Sequence, residues 1–487
     1  MASVGDLQRT EHDSAERSRL LLERASTWLA AIALFAVGWR YMDLLGDTFW
    51  SVATGRYILE HHALPTRDPF TFTADRPWIV HMPLSQIVLA WVMERFGALA
   101  LELFGAVVFG ASLVTLWLPH ARGAFARFAV YPLLLLLVFV QATDLCVRGQ
   151  LFGDLSFALL LVCMFRLRAG GRVHPASVVL FGALWINCHA SAFLCVVVPL
   201  AWAAALHLEA SSTRPQLAPY LEFAGAAALG LLLNPYGWRL VVDLLELLVA
   251  SSKQVDLFQP PDFGSPLVLL SFALLVVGAA WCALRPMPRV GAAVPEALLA
   301  VAFGAAAASG RRYLPLALAY AMVLLARRVS ALGRATPGIV PQLAFVVVAM
   351  LAAFWGLAAD KDPWQNVPLE EARLVELLRL PDRVAQNYHW GGYLDYAWHE
   401  RRKVFIDGRN QLFEGGALVD HERLVRLDGW REVLDRNRIN TVIWERGAPL
   451  ERALTASAEW RVLRRGHIAA LFVRKQPLPL DTRSTPR

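Results

Sequence analysis

The amino-acid sequence predicts an α-helical polytopic membrane protein of about 11 transmembrane helices with a small C-terminal α/β domain. Three observations lead to that reading. Of the 487 residues, 56% are hydrophobic and only 18% charged, where an ordinary soluble domain has about 45–50% and 25%. The mean hydropathy is +0.44. The basic residues gather between apolar runs rather than on one patch, and after Asp360 the composition returns to that of a soluble domain.

The elements follow in chain order. Residues 1–25 are polar, with Arg9, Arg17, Arg19 and Arg24, and read as a cytoplasmic segment. The run from Trp28 to Trp39 ends at Arg40 and Asp43 without a small-x-small cleavage site, so it reads as a retained anchor. It opens a transmembrane domain over 26–359, with further apolar spans near 98–118, 124–142, 150–167, 176–188, 190–207, 217–233, 266–284, 293–308, 312–326 and 339–359. Alternate loops carry Arg122 and Arg127; Arg166, Arg168 and Arg172; Arg214; Arg285 and Arg289; and Arg327, Arg328 and Arg334. Cationic loops stay on the cytoplasmic side. The N-terminus is therefore placed inside and, with an odd number of spans, the C-terminal domain (360–475) outside. That is the periplasm if the membrane is the inner membrane of a Gram-negative cell. The tail, 476–487, is Pro-rich and reads as disordered.

The net charge of +7 and pI near 9.3 do not make a nucleic-acid binder, because the cations sit where membrane topology is written. The five cysteines (Cys146, Cys163, Cys188, Cys195 and Cys282) lie in or beside apolar segments without metal spacing, so they read as packing residues. In the C-terminal domain, helical spacing covers Pro368 to Leu380 and about 415–427, 430–437 and 449–456. Val404 to Ile406, Thr441 to Trp444, Arg461 to Leu463 and Ile468 to Val473 read as strands.

Several groups could carry chemistry. The first outer loop, 43–83, holds Asp47 in Gly46-Asp47-Thr48-Phe49-Trp50, then Asp68 and His81. A carboxylate where the bilayer meets water could act as a general base or hold a divalent ion; equally it could pair with Arg56, Arg67 or Arg76. Trp50 and Trp78 suit either a sugar ring or the aromatic belt. Arg148, Arg311 and Arg312 fall on the outward side against the charge trend. They suit a phosphate, which guanidinium binds bidentately, or simple snorkelling. Trp185, Asn187 and His189 interrupt an apolar stretch, as cavity-lining groups or a helix–helix hydrogen bond would. His389-Trp390-Gly391-Gly392-Tyr393 and Asp407-Gly408-Arg409 read as a substrate-facing segment or as a tight turn with an Asp–Arg pair. A second outer loop, about 234–265, opens with Asn234-Pro235-Tyr236-Gly237-Trp238 and continues into an amphipathic stretch, Leu240 to Leu248. No Walker A, dinucleotide, HExxH or GxSxG motif is present, so ATP-driven pumping, dehydrogenation and serine hydrolysis have no local support.

Taken together and in order, several of these phrases resemble a large, mostly uncharacterised group of bacterial membrane proteins related to the GT-C glycosyltransferases. They are Gly46 to Trp50, Leu64 to Phe70, Pro77-Trp78 with His81, Trp185 to His189, Asn234 to Trp238, Arg311-Arg312, and the Trp390 and Asp407 segments. The superfamily includes polyprenyl-phosphate sugar transferases and the catalytic subunit of oligosaccharyltransferase. The resemblance implies a GT-C fold and transfer of sugar from a polyprenyl-(pyro)phosphate donor to a glycan, lipid or protein acceptor outside the cytoplasm. It implies catalytic Asp47, with Asp68 and His81 beside it, and a donor phosphate held by Arg148, Arg311 and Arg312. Trp50, Trp78, Asn187 and His189 would line the cavity, and Trp390, Tyr393, Asp407 and Arg409 would meet the acceptor. The acid and the twin arginines are expected to share one cavity. A divalent cation, Mg or Mn, is compatible with the resemblance without being required by it. The chain departs from the group's pattern at Ser51, Met82-Pro83 and Leu257-Phe258, where relatives often carry His, Glu-Trp and an acidic-Trp pair. Those replacements keep a degenerate scaffold that binds a protein partner as the alternative, with a lipid or polysaccharide transporter as a third reading.

Overall fold

The computed structural model describes residues 4–142, 144–208, 217–250, 260–284, 293–332, 339–413 and 415–479. Arg214, Leu257-Phe258, Arg285, Arg289 and Arg334 lie outside these. The chain forms two compact units: Met1–Met42, Leu103–Leu145 and Gln150–Lys361 make one, and Asp43–Glu102, Cys146–Gly149 and Asp362–Arg487 the other.

The first unit is helical. Among the described residues, six helices have the length and composition to cross a membrane: Leu20–Tyr41, Ala98–Trp117, Ala124–Gln141, Gln150–Arg168, Ala190–His207 and Arg311–Ala331. Four shorter apolar helices, Pro175–Cys188, Pro266–Trp281, Val294–Ser309 and Gln342–Leu357, and the helix Ala218–Leu231 occupy the remaining apolar runs of the sequence. The first anchor is continuous with the polar segment before it, as one helix Val4–Tyr41. Because lipid offers no hydrophobic drive between helices, small residues must let backbones approach. A Cβ on Gly356 would lie 2.3 Å from the backbone of Ala36, and one on Gly230 would lie 2.3 Å from the Val179 carbonyl. Charge is kept to helix ends: Arg168 reaches Glu296 at 3.5 Å, and Arg327 lies 4.1 Å over the Phe165 ring. The amphipathic stretch after Asn234 forms the helix Trp238–Ala250.

The second unit joins residues 43–102 to the C-terminal segment. Its sheet has strand order β1-β2-β4-β3, with β1 (Val384–Gln386) parallel to β2 (Thr441–Glu445). β4 (Ala469–Arg474) is antiparallel to both β2 and β3 (Trp460–Arg465). Three of the four strands read from sequence are present. Val404 to Ile406 is instead a fully buried extended segment that makes isolated bridges from Val404 to Thr71 and Val384. Helices Leu369–Leu377, Ala417–Arg426, Trp430–Arg436 and Pro449–Ala456 fall where the spacing placed them. The Gly391-Gly392 phrase is not a turn: it starts the helix Gly391–Trp398. That helix packs on Gly46–His61, which in turn packs on Pro83–Phe96. A Cβ at Gly392 would stand 2.1 Å from the Gly46 carbonyl, so glycine is what lets the two helix starts touch. Phe49 sits at the seam, 5.3 Å from the Tyr393 ring and 5.9 Å from that of Trp364.

Candidate active site

Asp47 is in the first turn of Gly46–His61, where the helix dipole favours a carboxylate. Just ahead of it, Asp43 forms a parallel bridge with Cys146, and the Val147 N–H donates to the Asp43 carbonyl at 3.2 Å. This short stitch joins two segments about a hundred residues apart and puts Arg148 beside Asp47. Arg148 Nη1 donates to Asp47 Oδ2 at 2.7 Å, while Trp50 Nε1 donates to Oδ1 at 3.1 Å. On the other side the chain passes so close at Gly408 that a Cβ there would lie 2.7 Å from Asp47 Oδ1. Tyr388 completes the surroundings: burial first, and then the negative charge of Asp47, raise its hydroxyl above the ordinary phenol range. It stays protonated and donates to Asn410 Oδ1 at 2.8 Å. The Asp47 side chain keeps 36% of its surface open and Arg148 24%. An oriented, accessible carboxylate beside a guanidinium can accept a proton from an incoming hydroxyl or amine while positive charge waits nearby.

Four other residues expected in the site are buried together instead. The Arg409 guanidinium donates to Asp68 Oδ1 at 2.8 Å and, through Nε, to Asp407 Oδ1 and Oδ2 at 3.0 and 3.1 Å. Its Nη2 also reaches Asp395 Oδ2 at 3.8 Å, and none of these side chains has exposed surface. The Arg409 guanidinium lies 4.4 Å over the Trp78 ring, so that ring face is taken. Asp68 further accepts the N–H groups of Phe70 and Thr71. Burial first, then the charge of Asp407, raise the Asp395 carboxyl well above the usual range, with Arg409 only partly offsetting this. Asp68, expected as catalytic, Trp78, expected to line the cavity, and Asp407 and Arg409, expected to meet the acceptor, are thus placed together in a buried, paired core. Trp390 and Tyr393 are also buried; the Trp390 indole donates to the Asn366 carbonyl at 3.0 Å, and both belong to the packing of this unit. His81 is buried just before Pro83–Phe96.

In the first unit, Arg311 and Arg312 form the short turn Arg311–Tyr313 that leads into Leu314–Ala331. Arg311 Nη2 pairs with Asp144 Oδ2 at 2.9 Å and remains 48% exposed; Arg312 lies 5.3 Å from the Tyr313 ring. Asn187 Nδ2 donates to the Ala183 and Leu233 carbonyls, both at 2.8 Å, which is the interhelical bond among the two readings of that residue. His189 caps the turn Ala190–Phe193, its Nδ1 accepting from the Ser191 N–H at 3.1 Å.

Sequence reasoning did not single out Tyr388, Asn410, Asp395 or Asp144. Asn410 ends the Asp407-Gly408-Arg409 phrase and Tyr388 precedes His389-Trp390, so adjacency to those phrases was the available signal. A divalent cation does not fit Asp47 as arranged. Magnesium and manganese need several oxygen ligands, whereas this carboxylate is held by a guanidinium and an indole N–H. Ser51, at one of the departing positions, spends its hydroxyl on the Asp47 carbonyl at 2.6 Å.

No protein-family model and no curated protein matches the chain. Solved structures do. ArnT from Cupriavidus metallidurans, crystallised bound to undecaprenyl phosphate, is 13% identical with a TM-score of 0.56, over 93% of this chain and 98% of that one. The Archaeoglobus fulgidus oligosaccharyltransferase tethered to an acceptor peptide is 13% identical with a TM-score of 0.54, over 87% and 69%. The same enzyme with an inhibitory peptide and a dolichol-phosphate gives 0.52 at 12% identity over the same shares. The chain has a GT-C fold. It is a membrane protein, and the GT-C resemblance read from its motifs is matched by its architecture. At this identity the likeness concerns the fold, and the residues of this chain must carry the chemistry on their own.

Proposed function

We propose that this GT-C chain is a glycosyltransferase that moves a sugar from a polyprenyl-(pyro)phosphate donor to an acceptor on the outer face of the bacterial cytoplasmic membrane. The observation that carries the reading is the accessible Asp47 carboxylate held by Arg148 and Trp50 at the head of a helix in a fold shared with a protein crystallised on undecaprenyl phosphate. In the proposed reaction the acceptor oxygen or nitrogen attacks the anomeric carbon, the bond from that carbon to the phosphate oxygen breaks with inversion, and Asp47 takes the acceptor proton. Arg148 stabilises the charge that grows on the leaving phosphate. The N-terminus is cytoplasmic in this reading and the C-terminal segment extracytoplasmic. Asp47→Asn should lower transfer by about 10²–10⁴-fold while leaving the melting temperature of the detergent-solubilised protein unchanged, measured with a radiolabelled polyprenyl-linked sugar. Wild-type rates in the variant would remove Asp47 from the reaction.

A second reading, a scaffold that binds a protein partner, is favoured by the Ser51 hydroxyl being committed to its own helix. Co-purification separates the two. Polyprenyl phosphate found by mass spectrometry of the extracted lipid supports the transferase, and a stoichiometric protein without lipid supports the scaffold.

A further inference from the structure

At the far end of the Asp47 helix, and independent of the transferase reading, two histidines and two glutamates converge. We propose that Glu60, His61 and Glu400 form a zinc site, with His399 as an adjoining imidazole on Glu60. His61 Nε2 lies 3.3 Å from Glu400 Oε2. His399 Nε2 lies 3.0 Å from Glu60 Oε2 and 3.9 Å from Glu400 Oε2. Zinc bonded at 2.0–2.1 Å in a tetrahedron holds its ligand atoms about 3.3 Å from one another, and the His61–Glu400 separation matches that spacing. One ligand atom each from Glu60, His61 and Glu400 lies within 4.8 Å of the others.

The ligands are oriented in advance. The Tyr57 ring stacks on His61 at 4.0 Å, and the Tyr57 carbonyl lies 3.0 Å from His61 Nδ1. An Nδ1–H donated to that carbonyl leaves the Nε2 lone pair facing Glu400, the arrangement of an imidazole ligand with its supporting acceptor. Two lone-pair atoms 3.3 Å apart repel unless a proton or a cation lies between them. His399 is nearly buried, packed against Phe70 at 5.6 Å. Arg56 occupies only the other oxygen of Glu60, Oε1. The helices Gly46–His61 and Gly391–Trp398 both end at the cluster, and helix C-termini carry partial negative charge that favours a cation. A borderline-soft imidazole with two carboxylates selects zinc over magnesium or calcium.

The ion would clip the end of the helix Gly46–His61 to Glu400 of the C-terminal segment. From Asp47 to Glu60 the helix rises about 20 Å at 1.5 Å per residue, so this site is separate from the candidate active site.

The test uses the full chain in detergent, stripped by a chelator and titrated with zinc chloride alone. One zinc per chain is expected by mass spectrometry of the metal, with a rise in melting temperature that grows with zinc concentration. Glu400→Gln, at an exposed position, should keep the apo melting temperature and weaken zinc binding by roughly tenfold or more; His61→Ala should do the same. Asp47→Asn should bind zinc as the wild type does. Absence of bound zinc at micromolar metal, or equal binding by Glu400→Gln and His61→Ala, would overturn the proposal, and either result leaves the transferase reading standing.

Discussion

Two Asp–Arg groups in the second unit are built from similar letters and do opposite things. Asp47 and Arg148 meet at 2.7 Å with about a quarter to a third of each side chain open. Asp68, Asp407 and Arg409 meet at comparable distances with no surface at all. A charge pair open to water gains little from its partner and remains available to a ligand. A buried pair is energetically committed, because removing either side leaves an uncompensated charge in a low-dielectric core. Accessibility, more than residue type, separates the reactive group from the fastening.

That contrast can be broken. The largest effect is expected for Arg409→Met, which leaves Asp68, Asp395 and Asp407 without their guanidinium and should cost about 3–5 kcal/mol. Arg148→Met should change stability by no more than about 1 kcal/mol while weakening donor binding. Urea unfolding followed by tryptophan fluorescence measures both, and equal losses would erase the distinction. Next comes Gly392→Ala. Its Cβ would press on the Gly46 carbonyl at 2.1 Å, so a loss of about 1–3 kcal/mol is expected; an unchanged melting temperature would mean the two helix starts are not in contact. The smallest effect sharpens the buried side. Asp395 has a raised folded-state pKa, so its contribution is complete below the unfolded value of about 3.9 and declines as pH rises through the raised one. Asp395→Asn should therefore gain on the wild type as pH rises above about 4 in paired thermal melts. Parallel profiles would show that Asp395 is ionised in the folded protein.

The membrane helices were legible because apolar runs are local: the spans read near 98–118, 124–142 and 150–167 are the helices Ala98–Trp117, Ala124–Gln141 and Gln150–Arg168. The C-terminal strands were legible for the same reason. Long-range pairing was not. Nothing in the letters around Asp68 announces an arginine 341 positions later, so Asp68 read either as a catalytic acid of an outer loop or as a partner of the nearby Arg56, Arg67 or Arg76. The glycines of the Trp390 phrase suggested a turn, and only a backbone packed against Gly392 explains them as the start of a helix. Val404 to Ile406 has the letters of a strand, but its neighbours are single bridges to Thr71 and Val384. Asp47 read as an acid of the first outer loop, whereas it stands in the first turn of the helix Gly46–His61, and its partner Arg148 was assigned to phosphate rather than to Asp47 itself.

The distance in sequence between Asp68 and Arg409 also sets a timetable for synthesis. A ribosome builds the acid first and must add 341 further residues before the matching guanidinium exists. Until then the early segment carries a carboxylate with nowhere dry to go. A nascent chain released before that point leaves its membrane helices made and the second unit unfinished, so Arg409 has to be added before that ionic core can close.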